Sequence, residues 1–105
     1  MNVAMAKVLV LYNAPSDAAA FDSYYQTTHI PIAKKLPGLR AYNVNAEPPR
    51  MIAGTAPHLI AELEFADMAA IDTALASPEG QATAADLANF AQAGVTIMIF
   101  DSKQV

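Results

Sequence analysis

The chain has 105 residues, a length for one domain spanning 1–105, and its net charge of −4 comes with no basic cluster larger than Lys34-Lys35, which argues against nucleic acid or an anionic membrane surface as partner. The absence of cysteine excludes disulfides, thiolate catalysis and cysteine metal sites. Hydrophobic residues make up 54% and charged residues 15%, apolar for so small a domain, so a homo-oligomer that covers the surplus surface is expected.

In chain order, residues 4–13 form a β-branched and aliphatic run, expected as a strand covered on both faces. Its core, Lys7 to Tyr12, is too short for a signal peptide, and no apolar run approaches the roughly 20 residues of a membrane span. A soluble, cytoplasmic protein is expected. Ser16 or Asp17 can cap a helix whose apolar stripe is Phe21, Tyr25, Thr28, Ile32 and Leu36. Pro37-Gly38 ends that helix, and residues 39–45 read as a strand. Residues 46–57 hold three prolines and a glycine and predict a long loop. Residues 58–65 alternate, with Leu59, Ala61, Leu63 and Phe65 on one face and His58, Ile60, Glu62 and Glu64 on the other. Asp67 caps a helix to about Ala76, and Ser77-Pro78 starts another. Residues 95–101 predict a last buried strand.

The order βαββαβ on one antiparallel four-stranded sheet is the ferredoxin-like α+β topology. Helices on one face would leave Leu9, Leu11, Met98 and Phe100 pointing away from them. A second copy packed sheet to sheet would bury these side chains, so a homodimer is predicted.

His29 lies four residues after Tyr25 and three before Ile32, at the edge of the sheet-facing stripe. Pro31 removes one helical hydrogen bond and crowds the Thr27 carbonyl, so the helix should kink or loosen beside the histidine. Such a site suits a pocket wall. Histidine titrates near pH ~6.5 and serves as acid or base without a large shift. It serves equally as a buried histidine that fixes its helix. Tyr12, on the strand face of Val8 and Val10, should meet Tyr25 or Phe21 across a cavity completed by Ile97. Aromatic walls with a hydroxyl at one end suit a planar, partly oxygenated ligand. Tyr24 and Tyr42 are weaker candidates, and His58 is expected at the surface or an interface. No metal-ligand spacing, phosphate loop or serine-nucleophile motif is present, so neither metal nor cofactor is expected.

The stretch from Phe21 to Val44, with its aromatic pair, His29-Ile30-Pro31 and Leu36-Pro37-Gly38-Leu39, resembles the EthD-like family of the dimeric α/β-barrel superfamily. A second block from Glu62 to Phe90, with Ser77-Pro78-Glu79-Gly80, Asp86 and Phe90, is similar to the same family. The resemblance implies two ferredoxin-like subunits whose sheets close into a barrel. For function it implies a cofactor-independent lyase, dehydratase, cyclase or isomerase acting on a small hydrophobic cyclic or ketide-like compound, with His29 as acid/base. It leaves open a non-catalytic ligand-binding accessory protein of an oxidative ether or aromatic degradation pathway, and a cofactor-free monooxygenase. A carboxylate or second histidine aimed at His29 would favour the enzyme.

Overall fold

The computed structural model describes residues 5–105; Ala4, the expected first residue of the first strand, lies outside them. Strand β1 (Met5–Tyr12) leads to helix α1 (Ala18–Tyr24), a five-residue π-helical turn (Tyr25–His29) and helix α2 (Ile30–Ala33). Strands β2 (Ala41–Val44) and β3 (Leu59–Phe65) follow, then helices α3 (Met68–Ala76) and α4 (Pro78–Phe90), then strand β4 (Val95–Ser102). The sheet order is β2-β3-β1-β4, every neighbouring pair antiparallel. This is the ferredoxin-like α+β fold, and its two central strands supply most of the core.

The strand alternation written in the sequence decides which side chains enter that core. Ala6, Val8, Val10 and Tyr12 of β1 and Ala61, Leu63 and Phe65 of β3 are buried under the helices, facing Phe21, Tyr25, Ile71 and Phe90. Helix starts are set by local hydrogen bonds. Asp17 accepts from the Ala20 N–H at 3.0 Å, Asp67 from the Ala70 N–H at 2.8 Å, and Ser77 from the Gly80 N–H at 3.0 Å. Each such cap contributes about 1 kcal/mol. Gly80 also lets α4 start hard against the end of α3, because a Cβ there would fall 2.1 Å from the Ala74 carbonyl oxygen and 2.7 Å from Leu75 Cα.

The other sheet face carries no helix. Register places Leu9 beside Met98, Lys7 beside Phe100 and Leu11 beside Thr96, all on that open side. Toward β3 the same face turns acidic, and Lys7 Nζ lies 3.5 Å from Glu62 and 3.3 Å from Glu64. The expectation of a buried last strand is corrected for the single chain. β4 is an edge strand beyond the reach of most of the helical layer, and Ile97, Met98, Ile99 and Phe100 are exposed.

Candidate functional site

The histidine is positioned by an irregularity that the proline explains. Proline 31 has no N–H for the Thr27 carbonyl, and its ring would crowd that carbonyl in a regular helix. The chain slips by one residue just before it, so that the Ile30 N–H donates five residues back to the Tyr25 carbonyl. The predicted loosening thus takes the form of a π turn, a wider turn that recurs at functional sites. The wider turn changes which residues share a face. A regular period would bring Thr28 and Ile32 inward; instead Phe21, Tyr25, His29, Ala33 and Leu36 are the buried set. His29 sits within the stripe rather than at its edge.

His29 is 3% exposed, with the Phe90 ring 4.7 Å and the Tyr25 ring 5.2 Å from its own, centre to centre. Its Nδ1 lies 2.9 Å from Oδ2 of Asp86, itself only 6% exposed. A carboxylate can only accept, so Nδ1 carries the hydrogen and donates. Oδ1 of Asp86 accepts from the Tyr24 hydroxyl at 2.6 Å and from Asn89 Nδ2 at 2.9 Å. Burial pushes the Asp86 carboxyl up, but the hydrogen bonds from Tyr24, Asn89 and His29 outweigh it and hold its pKa below the ordinary value. Burial lowers the pKa of His29, and the Asp86 contact opposes that only in part. The resting pair is therefore a neutral imidazole on a carboxylate. Nε2 bonds to no described residue, yet no fully buried side-chain nitrogen or oxygen among the described residues lacks a partner. Nε2 thus keeps some accessible surface, on a ring that lines a cavity.

That cavity, between the helices and the sheet, has a volume of about 100 Å³, well beyond the roughly 10–15 Å³ that one water needs. Of the residues singled out from sequence, Tyr12, Tyr25, His29 and Ile97 line it. Phe21 does not. It stacks behind Tyr25 with ring centres 6.0 Å apart and serves as backing for the wall. Ile97 lies on the edge strand, half exposed, at the rim. His58 precedes β3 and so escapes its alternation. It turns to the helical side, where Nε2 donates to Asp22 at 2.7 Å. Among the described residues, no three histidine or carboxylate side chains converge as metal ligands.

Two further residues complete the site. Asp86 is the carboxylate aimed at His29, from 57 positions away; its one local signal is its place four residues before Phe90, on the same face of α4. Tyr42, on the helix-facing side of β2, reaches the cavity and stands 2.5 Å from the Tyr25 hydroxyl.

The EthD domain model matches residues 13–94, which holds His29, Asp86 and the cavity wall apart from its β1 residues and Ile97. The chain belongs to the EthD family. A Rhodococcus erythropolis relative, described as an uncharacterized 11.0 kDa protein in the thcB-thcC intergenic region, is 37% identical over 107 residues, covering 96% of this chain and 98% of its own. The crystal structure of an ethyl tert-butyl ether D family protein from Bacillus halodurans matches with a TM-score of 0.84 at 33% identity, covering 93% of this chain and 98% of that one. A dimeric ferredoxin-like protein of unknown function from Thermobifida fusca shares the fold, with a TM-score of 0.68 at 13% identity and coverage of 94% and 92%.

Proposed function

We propose that this EthD-family chain is an acid/base enzyme whose own side chains supply the chemistry, acting on a small hydrophobic compound held in the cavity. The observation that carries the reading is the buried Asp86–His29 hydrogen bond at 2.9 Å. A carboxylate on Nδ1 fixes the tautomer, leaves Nε2 as the free basic nitrogen, and stabilises the imidazolium formed when Nε2 takes a proton. Tyr12, Tyr25 and Ile97 would hold the substrate, and the cavity size favours one of few atoms.

The test is turnover of a panel of small lactones, cyclic ketones, ketides and phenols by the wild type and His29→Ala. Loss of one general acid or base costs about 10²–10⁴ in rate, so His29→Ala should nearly abolish conversion while remaining folded. Equal turnover by the two proteins would overturn the reading. Panel members that bind tightly and are never converted would favour an accessory protein that holds an intermediate.

A homodimer through the open sheet face is proposed with it. It is supported by the apolar side chains of Leu9, Leu11, Met98 and Phe100 on a face no helix covers, and by the dimeric state of the Thermobifida fusca protein. Leu11→Asp would bury an unpaired charge in such an interface. Sedimentation should then show a monomer or an unfolded chain where the wild type is a dimer at micromolar concentration.

A further inference from the structure

The tyrosine hydroxyls at the cavity wall hold one more hydrogen than the protein uses. The Tyr25 and Tyr42 hydroxyl oxygens are 2.5 Å apart, and both residues line the cavity. Each hydroxyl carries one hydrogen. One is consumed between the two oxygens, and the other has no acceptor among the described residues. Tyr12 stands edge-on to Tyr25 at 5.5 Å, and including its hydroxyl leaves the arithmetic unchanged, because a line of hydroxyls always ends in one unspent hydrogen. Burial raises the pKa of all three phenols, so they stay protonated and act as donors near neutrality. The one other polar side chain lining the cavity among the described residues, apart from His29, is Thr83, whose hydroxyl donates to the Glu79 carbonyl at 2.8 Å. No charged side chain lines the wall, so nothing in it would offset a charge on the ligand.

A mostly hydrocarbon chamber with one free donor, and one basic nitrogen on a ring 5.2 Å from that of Tyr25, is matched by a particular chemical unit. We propose that the Tyr25–Tyr42 hydroxyl pair binds the carbonyl oxygen of a small neutral ketone or lactone that carries a hydrogen on the adjacent carbon. The binding part stands alone, while the chemical part rests on the acid/base reading of His29. In that step Nε2 takes the proton from the carbon next to the carbonyl. The C–H electron pair becomes the new C=C bond, and the carbonyl π pair moves onto oxygen. There the tyrosine hydrogen bond strengthens as charge develops. The imidazolium then returns the proton to carbon or oxygen, so the step is redox-neutral and needs no co-reactant.

Two probes of nearly the same shape test it: cyclohexanone, and methylenecyclohexane, which lacks the acceptor oxygen. NMR titration should show the wild type binding the ketone about three- to tenfold better, the yield of one hydrogen bond. The preference should vanish in Tyr25→Phe/Tyr42→Phe and persist in His29→Gln. Equal binding of the two probes by the wild type, no binding of either, or an undiminished preference in the double variant would overturn the proposal. If the double variant does not fold, the ¹³C carbonyl resonance of the ketone bound to wild type decides. A downfield move from its position in hydrocarbon solvent supports the hydroxyl pair, and no move overturns it. Exchange of the ketone's α-hydrogens in D₂O separates the two readings. Ketone preference without catalysed exchange keeps the tyrosine site and counts against the histidine base. Exchange lost in His29→Gln but insensitive to both tyrosines keeps the base and removes the tyrosines from the chemistry.

Discussion

The molecule contains two histidine–aspartate pairs of nearly equal bond length and very different surroundings. His29 and Asp86 meet at 2.9 Å with side chains 4% and 6% exposed, while His58 and Asp22 meet at 2.7 Å with side chains 22% and 61% exposed. Geometry alone would rank them equal. Solvent separates them. Water screens the exposed pair and competes for its hydrogen bond, so the pair adds little to stability. In the buried pair every donor to Asp86 comes from the protein, and losing the acceptor would strand the buried His29 Nδ1 hydrogen, while half-buried Tyr24 and exposed Asn89 could turn to water. The His29 ring of the buried pair also lines an apolar chamber, the setting that the proposed acid/base role requires.

The strongest way to break this comparison is kinetic. Substitution by alanine at His29 should cost about 10²–10⁴ in turnover of any panel compound that reacts, and His58→Ala should leave the rate within a few-fold. Comparable losses at both positions would erase the distinction.

Stability sharpens it next. Asp86→Ala removes the acceptor of the Tyr24, Asn89 and His29 donors, leaves the buried His29 nitrogen without a partner and should cost about 3 kcal/mol, lowering the melting temperature by roughly 10–20 °C. Asp22→Ala should cost less than about 1 kcal/mol. Thermal melts of the two variants side by side provide the check.

The pH dependence has a definite sign. His29 titrates below its ordinary 6.5 in the folded protein because burial disfavours its charged form. Between the folded value and 6.5 the unfolded chain binds more protons, so stability is complete above 6.5 and falls as pH drops through that window. Asp86 acts at lower pH. Its contribution is present above the ordinary 3.8 and is lost as pH falls through its depressed folded value. Melting temperatures of His29→Gln should therefore decline less than those of wild type just below pH 6.5, with the acid loss near pH 4 retained.

The smallest effect concerns one donor. Tyr24→Phe leaves Asp86 its bonds from His29 and Asn89 and should cost about 1 kcal/mol. A loss as large as that of Asp86→Ala would mean that the Tyr24 hydroxyl alone carries the network, because the ring and its packing on Phe90 remain in the variant.

Much of this architecture was legible along the chain. The alternation in β1 and β3, the caps at Asp17, Asp67 and Ser77 and the prolines after helix ends are local signals, set by side-chain period and backbone hydrogen bonding within a few residues. From these the element order followed, and with it the apolar face that no helix covers. Pro31 announced an irregular turn, because a missing N–H is a property of one residue. Which irregularity resulted was decided only by packing. The chain could keep His29 and Ala33 facing the sheet by adopting a π turn, and the core rewarded that choice. The partner of His29 was likewise a tertiary decision. Asp86 reads in isolation as an ordinary helical carboxylate, and it becomes the hydrogen-bond partner of His29 only where α4 packs on the π turn and brings residues 57 positions apart within 2.9 Å. Tyr42 meets Tyr25 for the same reason, since pairing with β3 sets which way β2 presents its ring. The sequence by itself determined the strands, the helices and the histidine's inward lean, because those depend on neighbours along the chain. Only the tertiary structure decided which polar groups share a cavity, because that depends on neighbours in space.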